Sequence, residues 1–130
     1  ADPLGGMAAL RAKSLSLTRT FLRASQAAAQ AHGLHLATPL RDEHRGSQVS
    51  WACGPQAPDG YSVMRTLIER GVIGDFRARP RPGQPDLLRF GFAPAYNTHE
   101  EAWHAAQALG EALRHVARQG PRAAARPAVT

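Results

Sequence analysis

The 130-residue sequence contains one cysteine, Cys53, and one lysine, Lys13. A single thiol excludes an internal disulfide framework and a cysteine-rich zinc site, and it suits a reducing compartment, so the cytoplasm is the expected location. No apolar run approaches the roughly 20 residues that cross a bilayer, and the opening ADPLGGMAAL lacks the charged-then-apolar order of a secretion signal. A soluble chain without a membrane partner is expected. Acid is also scarce: ten acidic residues stand against sixteen basic ones, for a formal net charge of +6. Clustered arginines would suit a polyanion. Here they lie along three helical stretches, in the loop RARPRPG and in the tail, so no nucleic-acid partner is expected.

What is present is 43% hydrophobic residues, enough for one domain with a core but short for a complete cofactor-dependent enzyme. Residues 8–32 are alanine-rich and almost free of helix breakers. Leu10, Leu17, Phe21, Ala24 and Ala28 recur there at helical spacing, and Gly33 follows as a stop. LHLATP reads as a short strand ended by Pro39. SQVSWAC alternates, with Val49, Trp51 and Cys53 on one face and Gln48, Ser50 and Ala52 on the other. After the loop GPQAPDG, the segment YSVMRTLIERG places Tyr61, Met64, Leu67 and Ile68 on one helical side before Gly71.

VIGDF reads as a further short strand, and the proline-rich RARPRPGQPD connects it to LLRFGFAP. Leu88, Phe90 and Phe92 share one face of that strand, and Arg89 shares the other with Leu87 and Gly91. Thr98 and Glu101 in NTHEE fit a capping box, and Trp103, Ala106, Leu109 and Leu113 continue the helix inward. Asn97 is expected to shape the turn before it by side-chain to backbone hydrogen bonding. Gly120 and Pro121 stop the helix; residues 120–130 are expected to be a disordered tail and residues 1–7 a flexible start. The order helix, strand, strand, helix, strand, strand, helix predicts an α/β small domain over residues 8–119. Its long first helix should precede a small mixed sheet of three to four strands with helices on one face.

Four strings, in the order ALRAKSLSLT, RGSQVSW, GYSVMRTLIERGVIGDFR and LRFGFAPAYNTHEEAW, resemble the C-terminal small domain of kynureninases, from Met7 to about Leu113. RGVIGDFR and RFGFAPAYNT are the most specific pieces. The second is also similar to the arginine-bearing strand of the wider class V aminotransferase superfamily, cysteine desulfurases included. The resemblance implies a fold-type-I pyridoxal phosphate enzyme, homodimeric when complete. Such an enzyme hydrolyses L-kynurenine or 3-hydroxykynurenine to anthranilate or 3-hydroxyanthranilate and L-alanine, in tryptophan catabolism. It implies that residues 8–32 form the helix linking large and small domains. It further implies that the cofactor is held mainly by a large domain that no part of this sequence resembles. The chain thus reads as roughly the last third of such an enzyme, inactive alone. It departs from the family in beginning where the linker helix begins, and in a longer loop over residues 78–86. The alternatives are another class V aminotransferase or cysteine desulfurase, or a free-standing binding module for carboxylates or nucleic acid.

Arg89 is the leading candidate site residue. On the open face of a strand, beside the side-chain-free Gly91, a guanidinium can present two parallel N–H donors to a planar carboxylate. Spacing alone favours a strand arginine paired with a local acid. The resemblance reverses that preference, because the arginine of RFGF matches the family's substrate-carboxylate ligand. Arg89 and Gly91 are therefore expected to bind a kynurenine-type amino acid, with Asp75, just after a strand, at the mouth of the active site. Arg77 is expected in a surface ion pair. No catalytic, cofactor-binding or metal-binding residue is assigned. Lys13 lies early in a long helix, where solvation keeps it protonated and unsuited to a Schiff base. The six histidines offer no metal pair, His32 and His35 straddling the helix end, and Cys53 reads as a packed small hydrophobe.

Overall fold

The computed structural model of the chain describes residues 3–37, 48–79 and 81–119. Three helices, α1 (Pro3–Ala31), α2 (Gly60–Glu69) and α3 (His99–Gln119), accompany four strands: β1 (Leu34–Leu36), β2 (Gln48–Cys53), β3 (Gly74–Arg77) and β4 (Leu87–Gly91). The strands form one sheet in the order β1-β2-β4-β3, and every pairing is antiparallel. The expected α/β small domain is present, but its sheet is antiparallel rather than mixed in strand direction. The reason is topological: β2 and β3, joined through α2, run the same way, yet β4 is inserted between them. No parallel ladder forms.

The register sorts side chains onto two faces. Val49 stands opposite Phe90, Trp51 opposite Leu88 and Leu36, and Leu88 opposite Phe76. These make the inner face, with Val49, Trp51, Leu88 and Phe90 all buried. α1 and α2 lie on it, and α3 packs against both helices. Phe21 of α1 stacks on Phe90 at 4.7 Å and on Phe92 at 5.3 Å between ring centroids, and Phe76 meets Tyr61 of α2 edge-on at 5.6 Å. Each such large apolar side chain contributes about 1.5–3 kcal/mol by leaving water. The buried Trp51 indole donates to Ser25 Oγ at 3.3 Å, the partner a buried indole N–H requires.

α1 extends five residues before the expected start, with Pro3 at its first position, where the missing N–H costs nothing. Its buried stripe differs from the apolar spacing. Leu10 is exposed, and Ser14, Thr18 and Ser25 are buried beside Leu17, Phe21 and Ala29. The hydroxyls of Thr18 and Ser25 donate back to the carbonyls of Leu15 and Leu22, so these residues act as small, satisfied spacers. Small residues also line α3, where a Cβ added at Gly110 would stand 3.3 Å from the Ala28 methyl. The two long helices therefore approach closely.

Two more expected core residues point outward. Trp103 and Ile68 are exposed, 47% and 44%, because the buried stripes run through Ala102, Ala105, Ala106, Leu109, Ala112, Leu113 and Val116 on α3 and through Val63, Met64 and Leu67 on α2. Each exposed side chain follows directly after a buried one, about 100° further around the helix. Ala52, on the outer face, is nevertheless buried; it stands between His35 and Leu87, and its methyl is small enough to be covered.

The punctuation follows the expected chemistry. Gly33 takes φ +83° at the end of α1, and a side chain there would also meet the Ala57 backbone at 3.0 Å. Thr98 and Glu101 form the capping box: Thr98 N–H donates to Glu101 Oε1 at 2.8 Å and Glu101 N–H to Thr98 Oγ1 at 3.1 Å. Asn97 Oδ1 accepts from Ala93 N–H at 2.7 Å. α2 has a cap that sequence reading missed: Asp59 accepts from both the N–H and the hydroxyl of Ser62. An acid immediately before the first helical turn was the available signal. Strand β1 ends at Leu36, and Pro39, His44, the turn RDEHRG and the tail 120–130 lie outside the described residues.

Candidate functional site

The outer face of the sheet carries the polar candidates. Ser50 of β2, Arg89 of β4 and Asp75 of β3 stand abreast in one row, because Ser50 pairs with Arg89 and Asp75 pairs with Arg89. Asp75 lies within β3, not after it, since the β3–β4 ladder runs from Gly74 through Arg77. The hairpin register brings the acid directly beside the arginine. Arg89 Nη2 and Asp75 Oδ2 are 3.0 Å apart, with the side chains 26% and 57% exposed. The Arg89 Nε–H is buried and has no acceptor among the described residues.

Arg89 is thus not the isolated guanidinium that the open-face reading expected. It has the local acid that spacing alone favoured. Antiparallel pairing of GDFR with LLRFG was the signal that could have named the acid in advance. An ion pair this exposed contributes little to stability, and one carboxylate oxygen on one nitrogen leaves most of the five donors unengaged.

Gly91 is exposed two residues along β4 on the same face. It borders a groove of about 740 Å³ whose walls include Val72, Phe92, Pro94, Asn97 and His104. Arg89 and Asp75 do not line that groove. They line no part of the smaller apolar cleft of about 310 Å³ formed by Leu22, Leu36 and Trp51 with Arg19 and Arg23 either. The structure therefore joins Arg89 to Asp75 and sets Gly91 at the edge of a separate hollow. Arg77 is exposed on the outer side of β3, opposite Leu87.

The other singled-out residues are placed in ordinary roles. Lys13 is half-buried on α1 and lines neither hollow; its charge helps to lower the Glu101 pKa, chiefly depressed by the Thr98 backbone N–H. Cys53 is half-buried on the inner face, where a Cβ added at Gly60 would come within 2.9 Å of its sulfur. His32 Nδ1 sits 2.8 Å from the Ala28 carbonyl at the end of α1. Among the described residues no three His, Cys, Asp or Glu side chains gather as a metal site, and no helix is long and apolar enough to cross a membrane.

Residues 10–109 match the family described as the kynureninase C-terminal domain, a span that includes β3, β4 and the Arg89–Asp75 pair. A kynureninase from Pseudomonas fluorescens is 47% identical over 107 residues, which are 82% of this chain and 23% of that protein. Kynureninases from Burkholderia mallei strain SAVP1 and Burkholderia pseudomallei strain K96243 are each 41% identical over 124 residues, 95% of this chain and 27% of theirs. The chain spans about a quarter of the length of the curated relatives it matches. Sequence strings, element order and these relatives agree: the chain belongs to the kynureninase C-terminal domain family.

Proposed function

We propose that this domain binds the carboxylate of a kynurenine-type amino acid through Arg89, within a larger enzyme that cleaves L-kynurenine or its 3-hydroxy form to the corresponding anthranilate and L-alanine in tryptophan catabolism. The observation that carries the reading is a guanidinium on the sheet face opposite the described helices, only part of it engaged by Asp75. Two parallel N–H donors suit a planar carboxylate and fix its orientation as well as its charge. Gly91, on the same face, supports the reading by leaving the backbone approachable. Asp75 stands at the mouth of this site.

The one lysine of this chain does not suit a Schiff base with pyridoxal phosphate. A Schiff-base lysine requires a desolvated or cationic pocket, whereas Lys13 lies on a helix surface near an acid and lines neither hollow. In the proposed enzyme the cofactor is held mainly by a large domain, the complete protein is a cytoplasmic homodimer, and the isolated chain is inactive. What this domain contributes is positional. By holding the carboxylate as it closes over the substrate, it lowers the entropic part of the barrier without itself moving a proton.

The test is steady-state kinetics of the complete enzyme. Arg89→Ala is expected to reduce kcat/KM for kynurenine by at least the roughly 1.5–3 kcal/mol of a charge-assisted hydrogen bond. Arg89→Lys should restore only part, because an ammonium lacks the two parallel donors. Unchanged kcat/KM in Arg89→Ala would remove the carboxylate role.

A further inference from the structure

We infer that Asp75 is the positioning residue for Arg89, holding the guanidinium flat along the sheet so that its remaining donors are aimed before a substrate carboxylate arrives. The inference rests on the carboxylate-binding reading of Arg89 and adds a residue with a distinct role to it.

The geometry supplies the argument. Asp75 and Arg89 are directly opposed across the β3–β4 ladder, and facing Cβ atoms in such pairs stand only about 4.5–5.5 Å apart. An aspartate has one methylene, so its carboxylate stays close to the sheet and reaches the guanidinium from the side. It does so at one nitrogen, Nη2, at 3.0 Å. Among the described residues it is the only acceptor on the fork.

The exposures point the same way. A strand arginine free to choose its rotamer would extend into water and hydrate every N–H. Here the Arg89 side chain is the more covered of the two, and its Nε–H is buried without an acceptor among the described residues. A buried unpartnered donor is unfavourable, so a lateral anchor is needed to keep the side chain lying down. Asp75 is that anchor. Ser50, on the other flank of the row, carries no charge and cannot replace it.

A carboxylate beside the site could instead compete with substrate. Competition would require Asp75 to take both donors along one edge of the fork, and it contacts a single nitrogen. Its charge is more than half exposed, so solvent and salt screen its repulsion of a second anion. Orientation of a two-donor contact, by contrast, is lost when the supporting partner is removed.

The experiment uses the complete cofactor-loaded enzyme and the variants Asp75→Ala, Asp75→Asn, Asp75→Glu, Arg89→Ala and Asp75→Ala/Arg89→Ala, with kcat, KM and thermal melting measured for each. Asp75→Ala is expected to raise KM for the amino-acid substrate on the order of tenfold, with a smaller change in kcat and little change in melting. Asp75→Glu should recover part of the loss. In the Arg89→Ala background, Asp75→Ala should add nothing, because its effect passes through the arginine. A lowered or unchanged KM in both Asp75→Ala and Asp75→Asn, with Arg89→Ala still impaired, would overturn the positioning role and leave the carboxylate reading standing. An equal KM rise with and without Arg89 would overturn it too. Should Asp75→Ala melt early, the isosteric Asp75→Asn decides by the same KM criterion. Unchanged kcat/KM in Arg89→Ala would remove both readings together.

Discussion

Adjacent residues of one strand, Arg89 and Phe90, belong to two different environments. The inner face of the sheet is closed by α1 and α2 and holds Val49, Trp51, Leu88 and Phe90 in contact with helix side chains. The outer face carries Ser50, Arg89, Asp75 and Arg77, half-buried or exposed. The inner face has no polar side-chain atom left unpaired among the described residues, whereas Arg89 Nε on the outer face is buried without an acceptor. The difference separates two tasks. Removal of water drives the inner face together, and the outer face keeps directional donors that its own fold does not fully satisfy. Such incompletely satisfied groups concentrate where a protein meets a ligand.

The contrast can be broken from its strong side first. Phe90→Ala removes a buried ring that stacks on Phe21, and a loss of about 3–5 kcal/mol in urea unfolding is expected; a loss below about 1 kcal/mol would mean the inner face does not hold the fold. Asp59→Ala deletes the cap that receives both Ser62 donors and should cost about 1 kcal/mol in the same measurement, with Asp59→Asn retaining most of it. One residue along the strand from Phe90, Arg89→Ala should change stability by less than about 1 kcal/mol. It opens no cavity in the core, removes a partly exposed ion pair, and eliminates an Nε–H that has no acceptor among the described residues. A melting loss matching that of Phe90→Ala would erase the distinction between the faces.

The smallest effect concerns pH. Glu101 is held below the ordinary glutamate value, first by the Thr98 N–H, against an opposing effect of burial, with further help from the Asn97 and Thr98 side chains and Lys13. Because the folded-state pKa is the depressed one, the capping box contributes stability that is present above the unfolded glutamate pKa and lost as pH falls through the folded value. Urea unfolding followed through the acid range should show a slight loss of stability that Glu101→Gln reduces. A loss with rising pH instead would contradict the capping geometry.

Periodicity exposed the two faces of β2 and β4, because alternation along a strand is a local property: Val49 and Trp51 on one side and Arg89 on the other follow from the order of residues alone. The stops at Gly33 and Gly71 and the Thr98–Glu101 box were equally legible, since each depends on residues within one turn. Helix faces were less so. Leu10, Ile68 and Trp103 are apolar and stand outside the buried stripes, while Ser14, Thr18 and Ser25 stand inside them. Which residues a helix buries depends on what lies against it, and a hydroxyl bonded to its own backbone packs as a small apolar group.

By itself the sequence determined the element order, the α/β class, the family strings and the candidacy of Arg89. The partnership of Asp75 with Arg89 was decided only in the tertiary structure. It depends on β4 returning between β2 and β3, which sets the antiparallel register between strands nine residues apart in sequence and brings an acid fourteen positions away within 3.0 Å. Local propensity carries no information about that distance, because register is chosen by burial of the opposite face, where Phe76 and Leu88 must meet beneath α2.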